Sequence, residues 1–304
     1  MIEVPRIGGT LQFLAAWMVP WRSTFQVRSA QSKLSFFVHR RDAIGRHIAK
    51  YGTHEPLLTR WLAEYLAVAR PGLFIDVGAN LGWHTPHAAR GRMVERVVAF
   101  EPDLFNASLL ERNCAINGAD NVVISTSAVG AQPGLARLHR YKSSNGGRHS
   151  MAADLGYGSK LVPVCDLDGA LAALGLSDRP VTALKIDVEG YEPAVIAGAS
   201  RTLSLADAVI MEYSPDMSQR ANLSIGSMLT GLNDAGFAPF ALRTTGDIAR
   251  IDLGKLRTFE GQVDVVWLRT EPLAGEIASL MDRAADVHNL LELAEANKVV
   301  VKPV

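Results

Sequence analysis

The chain has 304 residues and 48% hydrophobic content, enough for one large α/β core plus an appendage. Its 31 basic and 31 acidic residues cancel, so no global field draws it to nucleic acid, and no duplex-binding module is visible. The two cysteines, Cys114 and Cys165, stand far apart without a CxxC or Cys/His cluster; they read as reduced thiols in or near the core and point to a cytoplasmic setting.

Near the N-terminus LQFLAAWMVPW, residues 11–21, is apolar but about half a membrane span long, and Pro20 stops it. Only Arg6 precedes it among basic residues and no small-residue cleavage site follows cleanly, which speaks against a signal peptide. We expect a helix packed on the domain or on a second subunit; a sharper alternative is a hydrophobic flap for a membrane-proximal or lipid-linked substrate. Residues 33–47 alternate loosely, as a short hairpin or strand would, with turn chemistry at Gly52. Leu57, Leu58, Trp61, Leu62, Tyr65 and Leu66 then recur at helical spacing until Pro71 and Gly72 end the helix.

LFIDVGANLGWHT, residues 73–85, is the most informative stretch. It reads as a strand covered on both faces that runs into a glycine-bearing turn at the mouth of a helix, the way α/β folds hold a nucleotide-like cofactor. Asp76, near the carboxyl end, can accept hydrogen bonds from the following loop or meet a cationic ligand, with its charge partly solvated. Gly78 and Gly82 remove side chains where a ligand would approach the backbone. Asn80 and Thr85 stand beside the turn, where an amide and a hydroxyl can bond a cofactor carboxylate or cap the helix. His84 and His87 lack a third ligand at the helical spacing of a zinc site, so no metal is assigned to them; His84 is the nearer to the turn.

The next strand, RVVAFEPD at residues 96–103, carries Glu101 roughly 20 residues past the glycine turn, the spacing at which a second-strand carboxylate takes ribose hydroxyls. A third strand is expected over residues 121–130, followed by strand-like segments at 135–141 and 160–165. Between those two lies a Gly/Ser-rich loop, residues 142–159, whose Arg148 and His149 could reach a substrate from a lid.

In ALKIDVEGYEP the strand period of two puts Lys185, Asp187 and, if the strand continues, Glu189 on one side. A buried Lys185 demands a carboxylate partner, Asp187 or Glu212 being nearest by topology. Glu212 ends the fifth strand, ADAVIMEYSP at residues 206–215, so Asp187, Glu189 and Glu212 cluster above adjacent strand ends. Such acids suit a general base for a substrate hydroxyl, and equally an Mg²⁺ site that orients two sugar hydroxyls. A helix is expected over residues 224–236, the last two strands at 237–244 and 262–269, and a helical tail over 271–298.

Three blocks resemble the FkbM-type S-adenosylmethionine-dependent methyltransferases: FIDVGANLGWHT at 74–85, VVAFEPDLFNASLLERN at 97–113 and LKIDVEGYEPAVIAGA at 184–199, with a softer echo in VCDLDGALAALGL at 164–176. The likeness spans about residues 52–268. It implies a Rossmann-like methyltransferase fold, a seven-stranded mostly parallel sheet with an antiparallel edge strand and helices on both faces. The division it suggests is an N-terminal appendage (1–55), a methyltransferase domain (56–270) and a C-terminal tail (271–304). It further implies S-adenosylmethionine with its methionine part at Gly78, Ala79, Asn80 and Gly82, its ribose on Glu101 and its adenine near Ser127 and Ala128. The implied acceptor is a hydroxyl of a sugar, glycan or polyketide-like product, and the outer helices could make a homo-oligomer. Two other classes stay open: a dinucleotide-dependent oxidoreductase, against which the GANLG spacing has a residue too many between glycines, and a non-catalytic binding protein of the same fold.

Overall fold

The computed structural model describes residues 23–270, apart from 31, 41, 142–148 and 155, with a few isolated positions before residue 23. Most of the apolar segment at 11–21, Arg148 and the tail at 271–304 therefore lie outside the described residues.

Five parallel strands form the centre of the molecule: β3 (Leu73–Val77), β4 (Arg96–Phe100), β5 (Val122–Ser125), β9 (Val181–Ile186) and β10 (Ala208–Tyr213), in the order β10-β9-β3-β4-β5. Strand β13 (Val263–Arg269) enters antiparallel beside β10 and pairs on its other side with β11 (Phe237–Leu242). A short β12 (Ile248–Arg250) folds back on β11, which makes the sheet eight-stranded where seven strands were expected. The alternation that makes strands amphipathic here makes them apolar on both sides. Leu73, Ile75 and Val77 of β3 enter one core with Leu184, Ile186 and Met211, while Phe74 enters another with Ala183, Ile210 and Val266.

Helix α2 (Pro56–Val68) closes the second core with Trp61, Leu62 and Tyr65, as its periodicity predicts. Before it, two strands, β1 (Thr24–Arg28) and β2 (Ser35–His39), form an antiparallel hairpin, and α1 (Ala43–Tyr51) follows. The expected hairpin at 33–47 is thus displaced towards the N-terminus, and its second half is helical. The reason is capping: the Asp42 carboxylate accepts from the Gly45 N–H, and Gly52 closes the helix in the left-handed region at φ 76.

The expected third strand breaks. β5 ends at Ser125, and β6 (Ala128–Val129) leaves to pair with β8 (Ser159–Cys165), which also pairs with β7 (Gly134–His139) in a separate three-stranded sheet. Among the described residues no helix is long and apolar enough to cross a membrane.

Candidate active site

The turn after β3 is held almost wholly by the protein itself. The Gly78 and Ala79 N–H groups both donate to the Phe100 carbonyl at 3.0 Å, and the Gly82 N–H donates to the Ala79 carbonyl at 2.9 Å. The Asn80 N–H donates to Glu101 Oε2 at 2.8 Å and the Leu81 N–H to Asn80 Oδ1 at 2.7 Å. With these donors engaged, a pyrophosphate would find no anion nest at residues 78–82, which speaks against a dinucleotide site. What the turn offers is carbonyl oxygen, which suits an ammonium.

Glu101 crosses from β4 to this turn. Its second oxygen, Oε1, accepts the Asp103 N–H at 2.8 Å, and burial pushes its carboxyl up to about 7 against the pull of those two N–H groups. Each oxygen keeps a further lone pair, so a pair of ribose hydroxyls can be received without breaking the bridge.

The glycines carry more than ligand clearance. A Cβ on Gly78, at φ 80, would stand 1.9 Å from the Asp187 carbonyl, and one on Gly82, at φ 82, would stand 2.5 Å from Leu110 Cδ1. Their bareness lets β9 and helix α4 (Leu104–Ile116) close against the turn.

Asp76 departs from expectation, because it is 1% exposed rather than partly solvated. Its Oδ2 accepts the Thr85 hydroxyl at 2.6 Å, so Thr85 serves Asp76 and is not turned to a cofactor carboxylate. Its register partner on β9 is Lys185. Burial works against the Lys185 ammonium, but Asp187, Glu55 and Asp76 outweigh it and hold the group charged, above the usual lysine range. The expected pairing forms, with Lys185 Nζ donating to Asp187 Oδ2 at 3.1 Å.

The strand, however, stops at Ile186. Glu189 does not continue it: the residue lies at φ 50 and its carbonyl accepts the Ser150 hydroxyl at 2.7 Å. The acids still meet. Burial, reinforced by Glu189, Asp187 and Asp264, raises Glu212 well above the carboxylate range, and its Oε2 is buried without a partner. The shift favours the protonated carboxyl, a hydrogen-bond donor at a position where the sequence suggests a base. Burial together with Glu55 and Asp187 lifts Asp264, the antiparallel partner of Glu212, to about 7. Glu192 is raised to about 8 by burial while its Oε1 accepts N–H groups of Gly190 and Val188 at 3.1 and 3.3 Å. Among the described residues no group of three His, Cys, Asp or Glu side chains is arranged to hold a metal ion.

Ser127 and Ala128 follow the end of β5; the Ser127 N–H donates to Ser125 Oγ at 3.3 Å, and Ala128 is buried opposite Val164. His149, from the expected lid, stands 3.7 Å from Asp103, whose carboxylate also accepts Lys160 Nζ at 2.6 Å.

Sequence reasoning missed Asp264 and Glu55. Asp264 had a readable signal, an acid interrupting the apolar run VDVVWL much as Asp76 interrupts LFIDV. Glu55 had a weaker one, Pro56 at the first position of α2, which marks Glu55 as the preceding cap. Its side chain caps nothing; instead Oε2 lies 2.7 Å from His84 Nε2 and Oε1 3.5 Å from His54 Nε2. Burial opposes its charge, yet the two histidines and Lys185 hold Glu55 below the usual carboxylate range.

A family model described as the methyltransferase FkbM domain matches residues 76–239, more than half of the chain. No curated protein matches by sequence. Among solved structures the chain is similar to a precorrin-6y C5,15-methyltransferase from Geobacter metallireducens GS-15, with 13% identity, a TM-score of 0.36 and coverage of 69% of this chain and 86% of that one. It is similar to an rRNA methylase from Streptococcus thermophilus, at 9% identity, TM-score 0.40 and coverage of 69% and 93%. It is also similar to M. jannaschii TYW2 in complex with AdoMet, at 12% identity, TM-score 0.38 and coverage of 82% and 87%.

Proposed function

The chain belongs to the FkbM methyltransferase family, and on that premise we propose that it transfers a methyl group from S-adenosylmethionine to a hydroxyl of a sugar, glycan or polyketide-like natural product. The observation that carries this reading is the Glu101 bridge, a carboxylate spanning the tops of β3 and β4 with lone pairs left for a ribose diol. When bound, the cofactor supplies an electrophilic methyl carbon on a sulfonium.

The chain's residues supply the rest. Glu101 holds the ribose, the carbonyls of residues 78–82 receive the methionine ammonium, and Ser127 with Ala128 flank the adenine. The acids above β9 and β10 handle the acceptor: Glu212, protonated, donates to one hydroxyl while Asp187 and Glu189 accept from another. Methyl transfer to an alcohol requires in-line approach and loss of the hydroxyl proton, and among the acids above β9 and β10 Asp187 is the one whose backbone packs on the turn, at Gly78.

Calorimetry with S-adenosylhomocysteine and with NAD tests the cofactor, and we expect binding of the first alone. Binding of neither would leave the non-catalytic reading, and binding of NAD alone would replace the methyltransferase. Labelled methyl donor incubated with cell extracts, analysed by mass spectrometry, should then show label on a hydroxyl oxygen. Asp187→Asn should abolish that incorporation with cofactor affinity kept within about tenfold; unchanged incorporation would remove Asp187 from the chemistry.

A further inference from the structure

The proposed cofactor brings a carboxylate as well as an ammonium, and the glycine turn has no N–H of residues 78–82 to give it. Gly78 and Ala79 donate to Phe100, Asn80 to Glu101, Leu81 to the Asn80 side chain and Gly82 to Ala79. A carboxylate set against this turn therefore needs a donor from elsewhere. Two residues past Gly82 stands His84, the first residue of helix α3 (His84–Ala89), 4% exposed. Its Nε2 faces Glu55 Oε2 at 2.7 Å, and its Nδ1 is buried with no hydrogen-bond partner. A buried polar atom left unpaired in a side chain this firmly held is one that a ligand atom can satisfy.

Glu55 is fixed for the purpose. The Trp83 indole N–H donates to Thr59 Oγ1 at 2.8 Å, and the Thr59 hydroxyl donates to the His54 carbonyl at 2.9 Å, which ties the residue before Glu55 to the residue before His84. Glu55 itself sits at φ 44, a conformation that costs a non-glycine residue and is retained while its carboxylate reaches His84.

Resting on the cofactor assignment above, we propose that His84, its Nε2 set against the positioning residue Glu55, donates from Nδ1 to the carboxylate of the cofactor's methionine part. A hydrogen bond donated to a carboxylate in this way is charge-assisted and directional. It also gives the segment before α2 a part in the cofactor site.

The test compares S-adenosylhomocysteine with its decarboxylated analogue, S-adenosyl-3-thiopropylamine, by titration calorimetry on the full chain. The wild type should prefer the carboxylate-bearing ligand by at least about tenfold, the worth of one hydrogen bond to a charged group. His84→Ala should erase that preference, weakening S-adenosylhomocysteine while leaving the decarboxylated analogue within about twofold. His84→Asn, whose amide stands where Nδ1 does, should restore most of it. Should His84→Ala fail to fold, Glu55→Gln decides by the same comparison, with the preference reduced. No preference in the wild type, or equal losses for both ligands in the variants, would overturn the proposal while leaving the cofactor assignment intact. Failure of the wild type to bind S-adenosylhomocysteine at all would overturn both.

Discussion

At Gly78 two costs coincide, and at Gly82 only one is firm. An alanine at Gly78 would sit at φ 80 with its Cβ 1.9 Å from a backbone carbonyl that is itself anchored, since the Asp187 N–H donates to the Val77 carbonyl at 3.0 Å. Neither group can retreat without parting β3 from β9. At Gly82 the nearest atom is the end of the Leu110 side chain, which can rotate. Gly78→Ala should therefore cost at least ~3 kcal/mol and lower the melting temperature by roughly 8 °C, with Gly82→Ala costing about half as much. Chemical denaturation of both variants checks the order, and a larger loss at Gly82 would contradict it. Glu101→Ala behaves differently, because removing a buried carboxyl pushed up to about 7 offsets the loss of its two N–H partners. Its melting temperature should stay within a few degrees while affinity for S-adenosylhomocysteine falls at least about tenfold. Unchanged affinity in calorimetry would end the ribose assignment.

Among the elements, the N-terminal hairpin is joined to α4 by Asn113 and by the helix's C-cap Asn117, and Asn113 reaches on to the cofactor turn. Asn113 Oδ1 accepts the Phe37 N–H at 2.6 Å, and its Nδ2 donates to the carbonyls of Phe37 at 3.1 Å and Leu81 at 2.7 Å. Four residues on, one helical turn, Asn117 exchanges the same pair of bonds with Ser35 at 2.9 and 2.7 Å. Side chains thus stand in for a neighbouring strand along the edge of β2. Asn113→Ala would strand three backbone groups, at a cost of about 2–4 kcal/mol. Hydrogen exchange should show the Phe37 amide losing protection while β9 keeps its own; equal losses in both would mean that the hairpin unfolds only with the whole domain. This linkage explains which parts of the fold were legible. The core strands announced themselves through apolar runs stopped by acids, and α2 through its 3.6-residue period. The hairpin was misplaced because its edge is satisfied by a helix far along the chain, which local alternation cannot reveal, and because the Asp42 and Gly52 caps of α1 outweigh the alternating pattern between them.

For the molecule as a whole, the legible part of the site was the part that recurs at strand ends: Asp76, Glu101, Asp187 and Glu212. Hidden was what depends on chain segments meeting in space, namely Glu55 beside Lys185 and Asp264 beside Glu212. Their meeting gives the protein a predictable response to pH. Glu101 and Asp264 are raised to about 7 and Glu192 to about 8, all chiefly by burial, with Glu212 raised by burial and by its acidic neighbours. Carboxyls raised in the native state stabilise it fully below their unfolded range, and that contribution is lost as pH climbs through their native values. His54 and His87, lowered by burial to about 4, act in the opposite sense: their contribution is complete above their unfolded value near 6.5 and fades as pH falls towards 4. Between those limits the two sets oppose each other; above pH 6.5 the acids act alone. The unliganded chain should therefore lose about 2 kcal/mol per pH unit from pH 6.5 to 8, a fall in melting temperature of roughly 4–8 °C per unit. Glu212→Gln removes one of the raised acids while keeping a group able to donate at that place. Its melting temperature should exceed that of the wild type at pH 8 and decline less steeply with pH, as scanning calorimetry at half-unit intervals would show. An identical slope in the two proteins would mean that Glu212 is ionised in the native state, and its assignment as a donor to the acceptor hydroxyl would fall with it.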